Sequence, residues 1–158
     1  MKYILIFLFC LFAFLGKAQE LGLNQVISFI NQPVKAVNDS LTAKGWQEHP
    51  ELSGVQNNQL YRTFSFGNLG PDSKQALAWF RIHADDEVVN QLYYQLPGPE
   101  LYTKLVTGLK AISTEKKDAQ QIENKQIITY YQNADFTFET IVGGGTYTLM
   151  VLTNKALD

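Results

Sequence analysis

The residues best suited to acid–base or metal chemistry are two histidines, His49 and His83. His49 stands in Glu48-His49-Pro50-Glu51, and imidazole with carboxylates is a common donor set for transition metals. No second ligand pair stands at metal-site spacing, so the cluster reads as a solvated loop. His83 falls on a segment of strand-like alternation, on the same side as Trp79 and Arg81. An imidazole suits general-base work near neutral pH, but no spacing supplies the nucleophile or the orienting carboxylate. Asp85-Asp86-Glu87 lacks the alternating acids, glycine and distant glutamate of a calcium loop and reads as a hairpin turn. Gly143-Gly144-Gly145 is followed by neither Lys-Ser nor Lys-Thr and opens no helix, so it too reads as a turn. Glu48 with Glu51, or Asp135 with Glu139, are carboxylate pairs of a kind that any acidic chain offers. No Gly-x-Ser-x-Gly and no His-Glu-x-x-His occurs. The residues therefore predict no catalytic constellation, no metal and no cofactor.

The informative constellation is a face. Period-two reading of the apolar segments puts Tyr61, Thr63, Ser65, Trp79, Arg81, His83, Gln91, Tyr93 and Gln95 on one side. Aromatic rings interleaved with arginine and amides are the residue types of binding hot spots, because each ring removes a large area from water and keeps a polar handle. Trp79, Arg81, His83, Tyr93, Tyr61 and Gln91 are thus the expected binding residues. The competing reading is that Trp79 and Tyr93 close a second small core or cover a sheet edge.

These side chains need a sheet to hold them. Leu60–Phe66, Ala76–Ala84 and Val88–Leu96 are rich in aromatic and β-branched residues and are separated by turn signals, Gly67 to Ser73 and Asp85 to Glu87. A charged stretch, Ser113 to Lys125, precedes three more candidate strands, Gln126–Tyr131, Asp135–Val142 and Thr146–Thr153. Helical spacing marks Leu23, Val26, Ile27 and Ile30, then Val34, Val37 and Leu41 after Pro33, and Leu101, Leu105, Leu109 and Ile112 after Pro99. The apolar phase of the strands, Phe64, Phe66, Phe80, Ile82, Leu92, Tyr94, Leu96, Phe136, Phe138, Leu149 and Val151, should pack under those helices. The expected fold is α+β, an antiparallel sheet of about six strands with helices on one face.

The order helix, three strands, helix, three strands suggests an internal duplication. Phe64-Ser65-Phe66 pairs in pattern with Phe136-Thr137-Phe138, and Trp79-Phe80-Arg81-Ile82 with Tyr147-Thr148-Leu149-Met150. This tandem arrangement, spanning most of the chain, resembles β-lactamase inhibitor proteins and PepSY-like exported domains. The resemblance implies a concave sheet used to bind another protein.

The first residues follow the plan of a secretory signal: Lys2, an apolar run from Tyr3 to Leu15, then Gly16-Lys17-Ala18 with small residues at −3 and −1. As a helix the run rises only about 20 Å, short of the roughly 30 Å hydrocarbon core, so removal as residues 1–18 is expected rather than retention as an anchor. Cys10, the only cysteine, would leave with it, and Phe7-Leu8-Phe9 does not suit lipoprotein processing. Residues 19–158 would then form one α+β domain without disulfides, periplasmic or extracellular. Without Lys2 and Lys17 that part carries 11 basic and 15 acidic residues, a net charge of −4. Its longest basic run is Lys116-Lys117, which disfavours nucleic acid and anionic membrane as partners. The leading functional reading is an exported binding or inhibitory module whose partner is another exported or envelope protein or peptide. The alternatives are a small hydrolase or lyase with a pocket around His83, and a structural envelope protein. The intact mass of protein from the envelope fraction should place the N-terminus at Gln19; a mass retaining Met1 to Ala18, or lipid on Cys10, would contradict the signal reading.

Overall fold

Period-two and period-3.6 patterns in this chain become strands and helices that share one core. The computed structural model describes residues 20–68, 75–121 and 125–154; the expected signal with Cys10, and most of the Gly67 to Ser73 connection, lie outside the described residues. Helices α1 (Leu23–Ser28) and α2 (Val34–Ala43) come first. The short strands β1 (Gln47–Glu48) and β2 (Gly54–Gln56) follow, with a 3-10 turn at Pro50–Leu52 between them. Next come β3 (Gln59–Asn68), β4 (Ala76–Asp85), β5 (Val88–Gln95), helix α3 (Pro99–Ile112), and β6 (Glu115–Gln121), β7 (Gln126–Gln132), β8 (Phe136–Gly143) and β9 (Thr146–Thr153). The strands form one antiparallel sheet in the order β1-β3-β4-β5-β9-β8-β7-β6, with β2 also paired to β3.

The sheet has nine strands where the sequence predicts about six. Two of the additions, β1 and β2, have two and three residues, too few for alternation to register. The third, β6, runs through the charged stretch read as a connection. Its ladder with β7 extends from Glu115↔Gln132 to Gln121↔Gln126. At the end of a sheet the backbone ladder forms without the apolar side chains that identify a strand from sequence.

Every expected apolar-phase strand residue joins a single cluster with Val26, Val37, Leu41, Leu101, Leu105 and Leu109 of the helices. The helices therefore cover one face of the sheet. Phe80 sits at its centre, with ring centroids 5.9 Å from Phe29, 5.9 Å from Trp46 and 5.5 Å from Tyr94. Leu101, Leu105 and Leu109 recur every four residues along the buried stripe of α3, and Pro99 occupies its first turn. The linker between α1 and α2 is pinned to the β4–β5 hairpin: Asn31 N–H donates to the Val89 carbonyl at 2.8 Å, and Val34 N–H to the Glu87 carbonyl at 2.9 Å. Those bonds hold Asp86 and Glu87 at φ 47° and 63°, a left-handed turn built without glycine. The β8–β9 turn is formed instead by Gly144 and Gly145, at φ 58° and 78°.

Each half of the chain runs helix then meander, and the last strands of the two meanders, β5 and β9, pair at the centre. The motif pairs from the sequence do not occupy matching places. Phe64 to Phe66 lie on β3, two strands from that centre, whereas Phe136 to Phe138 lie on β8, one strand from it. For the core itself, Phe80→Ala should cost about 3–5 kcal/mol in denaturant unfolding, whereas exposed Val55→Ala should stay within about 0.5 kcal/mol.

Candidate functional site

Opposite the helices, cross-strand pairing arranges the other side chains in rows. Tyr61, His83, Gln91 and Leu152 form one row; Thr63, Arg81, Tyr93, Met150 and Glu139 a second; Ser65, Trp79, Gln95, Thr148 and Ile141 a third. Directly opposite residues lie about 5 Å apart, so each row is a line of touching side chains. A β-bulge in β5 keeps the rows in phase. His83 faces Gln91 while Ala84 faces Val89, which leaves Asn90 as the extra residue and lets both Val89 and Leu92 point into the core. The Asn90 amide donates to Asp85 Oδ2, and its Oδ1 accepts from Gln59 Nε2 at 3.2 Å.

Between β1 and β2 the chain leaves the sheet plane, and residues 49–53 lie as a strap over β3. Asn38 Nδ2 of α2 donates to Glu48 Oε2 at 3.2 Å, which ties the start of the strap to the helix layer. The backbone groups of Thr63, which have no regular partner strand there, are met by the strap: His49 N–H donates to the Thr63 carbonyl at 2.8 Å, and Thr63 N–H to Ser53 Oγ at 3.0 Å. Thr63 Oγ1 donates to the Leu52 carbonyl at 2.7 Å. His49 is only 3% exposed, its ring 5.2 Å from that of Trp79. Its Nε2 is 2.7 Å from Ser65 Oγ and its Nδ1 2.8 Å from Glu51 Oε1. A neutral ring satisfies both contacts if Nδ1–H donates to Glu51 and Nε2 accepts from the Ser65 hydroxyl. The bond to His49 holds the exposed Glu51 carboxyl below the usual glutamate range.

Beside the strap lies an open concavity of about 530 Å³, lined by Leu52, Thr63, Trp79, Arg81, His83, Tyr93, Gln95 and Thr148. Its size falls in the roughly 300–1,000 Å³ range of small-ligand sites. Arg81 Nε donates to Thr63 Oγ1 at 3.0 Å, and the guanidinium carbon lies 5.5 Å from the centre of the Tyr61 ring. Among the described residues it pairs with no carboxylate; the ion pairs join Lys35 to Asp39, His49 to Glu51, Arg62 to Glu48 and Lys104 to Glu20. His83 lies between Tyr61 and Tyr93, at ring distances of 6.0 and 5.5 Å. Burial, then the Arg81 charge, push its pKa below the ordinary imidazole value, against a smaller opposite effect of Asp85. In the neighbouring row, which holds Arg81 and Tyr93, burial raises the pKa of Glu139.

The structure thus brings together all six residues expected to bind. Trp79, Arg81, His83 and Tyr93 line the concavity, Tyr61 flanks Arg81 and His83, and Gln91 Nε2 donates to the Tyr93 hydroxyl at 2.7 Å. Reading His49 as solvated is corrected: the strap folds it inward, where Ser65 satisfies its ring. Leu52 and Thr148 were missed as lining residues. Leu52 reaches the face only through the strap, and Thr148 only through the pairing of β9 with β5, neither of which leaves a local signal. Among the described residues no three metal-ligating side chains converge, and no helix is long and apolar enough to cross a membrane.

Fold and site define an α+β protein with helices on one face of an antiparallel sheet and an aromatic, cation-bearing concavity on the other. The chain matches no family model, no curated protein and no solved structure. The His83 environment has a measurable consequence. Because the folded pKa is depressed, the unfolded chain takes up a proton first as pH falls through about 6.5, and the folded state loses stability from there down to the folded pKa. Above that window His83 contributes no such cost. In urea melts from about pH 8 to pH 5, His83→Gln should therefore gain on the wild type as pH falls. A pH-independent difference would rule out the depressed pKa.

Proposed function

We propose that the protein is an exported binding module that holds an extended segment of another exported or envelope protein in the concavity of the sheet. One observation carries the reading: aromatic walls surround an arginine that has no carboxylate partner among the described residues. Such a site recognises by burying a ring against its walls and neutralising a charge on its floor. The helix-then-meander order of each half supports the further reading of a duplicated fold, similar to inhibitor proteins that present a concave sheet. Export rests on the signal pattern of residues 1–18 and leaves residues 19–158 as the working domain.

A hydrolase has one observation in its favour, the Ser65–His49–Glu51 hydrogen-bonded line, which has the order of nucleophile, base and orienting acid. Its serine is 1% exposed and neither Ser65 nor His49 lines the concavity, so no substrate carbonyl can reach the hydroxyl. Around His83 the lining hydroxyls belong to Thr63, Tyr93 and Thr148; Thr63 Oγ1 is already bonded to Leu52 and Arg81, and the Tyr93 hydroxyl accepts from Gln91. Binding is therefore the better account of both clusters.

Capture from an envelope extract should be run with the wild type, Tyr93→Ala and Lys35→Ala, the last as a distant surface control. Tyr93→Ala should lose a specific partner by 2 kcal/mol or more in affinity while costing only about 1 kcal/mol in folding. A partner held equally by all three would move the binding surface elsewhere.

A further inference from the structure

The concavity has a direction. On the β3 side it is closed by the strap, with Leu52 standing over Thr63, whereas toward β5 and β9 it continues through Gln95 and Thr148. Arg81 lies at the closed end, next to Thr63. The Nε–H of Arg81 is used by Thr63 Oγ1, and that hydroxyl is fixed in turn by its own bond to the Leu52 carbonyl. The guanidinium is therefore oriented before any ligand arrives, with no hydrogen-bond partner for its Nη donors among the described residues.

Resting on the binding reading above, we propose that this site captures the C-terminal carboxylate of a peptide chain whose last residue is large and apolar. Among the described residues Arg81 is the one Lys or Arg that lines the concavity, which fits a monoanion better than a phosphate dianion. Trp79, Tyr93 and Leu52 form walls for the terminal side chain. The Gln95 amide and Thr148 hydroxyl stand farther out, where the preceding peptide group would pass. A chain that ran on past Arg81 would meet the strap, so the anion belongs to a chain end rather than to an acidic side chain in mid-segment.

His83 reports occupancy. The groups that face it are Tyr61 from β3, Arg81 and Asp85 from its own strand, and Gln91 and Tyr93 from β5. A carboxylate on Arg81 offsets the positive field at the imidazole, so binding raises the His83 pKa. The probes are N-acetylated tripeptides titrated against the full chain: Ala-Ala-Phe as the free acid, the same peptide as its C-terminal amide, and an amidated peptide with aspartate in mid-chain. Isothermal calorimetry should give the free acid about tenfold or greater preference over both amides, the scale of one charge-assisted hydrogen bond. Imidazole NMR titration should show the His83 pKa rising with the acid and not with the Phe amide. Arg81→Gln should abolish the acid's advantage over the amide. The acid–amide comparison uses wild-type protein, so it stands even if that variant folds poorly. Equal affinity for acid and amide would overturn carboxylate capture while leaving a binding face. Tight binding of the mid-chain aspartate peptide would overturn the chain-end assignment. No binding by any probe at millimolar concentration would overturn the inference, and the Tyr93→Ala capture would still judge the binding module separately.

Discussion

The pairing of β5 with β9 is the contact on which the molecule depends. Five residue pairs, from Gln91↔Leu152 to Gln95↔Thr148, join two meanders that follow one another in the chain through α3. On one face the pairing places Leu92 against Val151 and Tyr94 against Leu149, all four buried; on the other it places Tyr93 against Met150 and Gln95 against Thr148. A slip of one residue would exchange the two faces, sending the core rings into water and Tyr93 into the helices. The partners are 53 to 61 residues apart, so pairing them closes a long loop at an entropic cost. Core and concavity therefore both draw on the same long-range pairing.

What could be read from the sequence is what depends on nearest neighbours. Phe80 and Ile82 against Trp79, Arg81 and His83 is a period-two pattern, and it assigns both faces of β4 correctly. Leu101, Leu105 and Leu109 assign α3 in the same way, and the glycine run marks the β8–β9 turn. The features that escaped are set by distant chain. Nothing in Glu48-His49-Pro50-Glu51 shows that a serine sixteen residues on will meet the imidazole, or that Thr63 has no strand partner on the side away from β4. Asn90 carries no mark of a bulge; its role follows from the need to bury both Val89 and Leu92. β6 escaped because its backbone, rather than its side chains, makes the strand.

The strap shows how a site is shaped without mobile machinery. By withdrawing from the sheet between β1 and β2 it leaves Thr63 with unmatched backbone groups, then meets them with the His49 amide and the Ser53 hydroxyl. Among the described residues no buried side-chain polar atom of the strap is left without a partner, so closing one end of the concavity strands none of them. The same bonds that finish the edge of β3 fix the hydroxyl that aims Arg81. Fold completion and ligand orientation thus share one small network, and damage to either would show in both.

The two margins of the sheet also bear on how the protein lives beside its own copies. An open strand margin is a template for another chain. On one side that template is broken up, since β1 and β2 cover β3 in two short pieces interrupted by the strap. On the other side β6 presents exposed Glu115, Lys116 and Lys117, charges that a strand laid against it would have to pair or strip of water. The stretch that looks least like structure in the sequence is, on this view, the molecule's guard against polymerising through its own sheet.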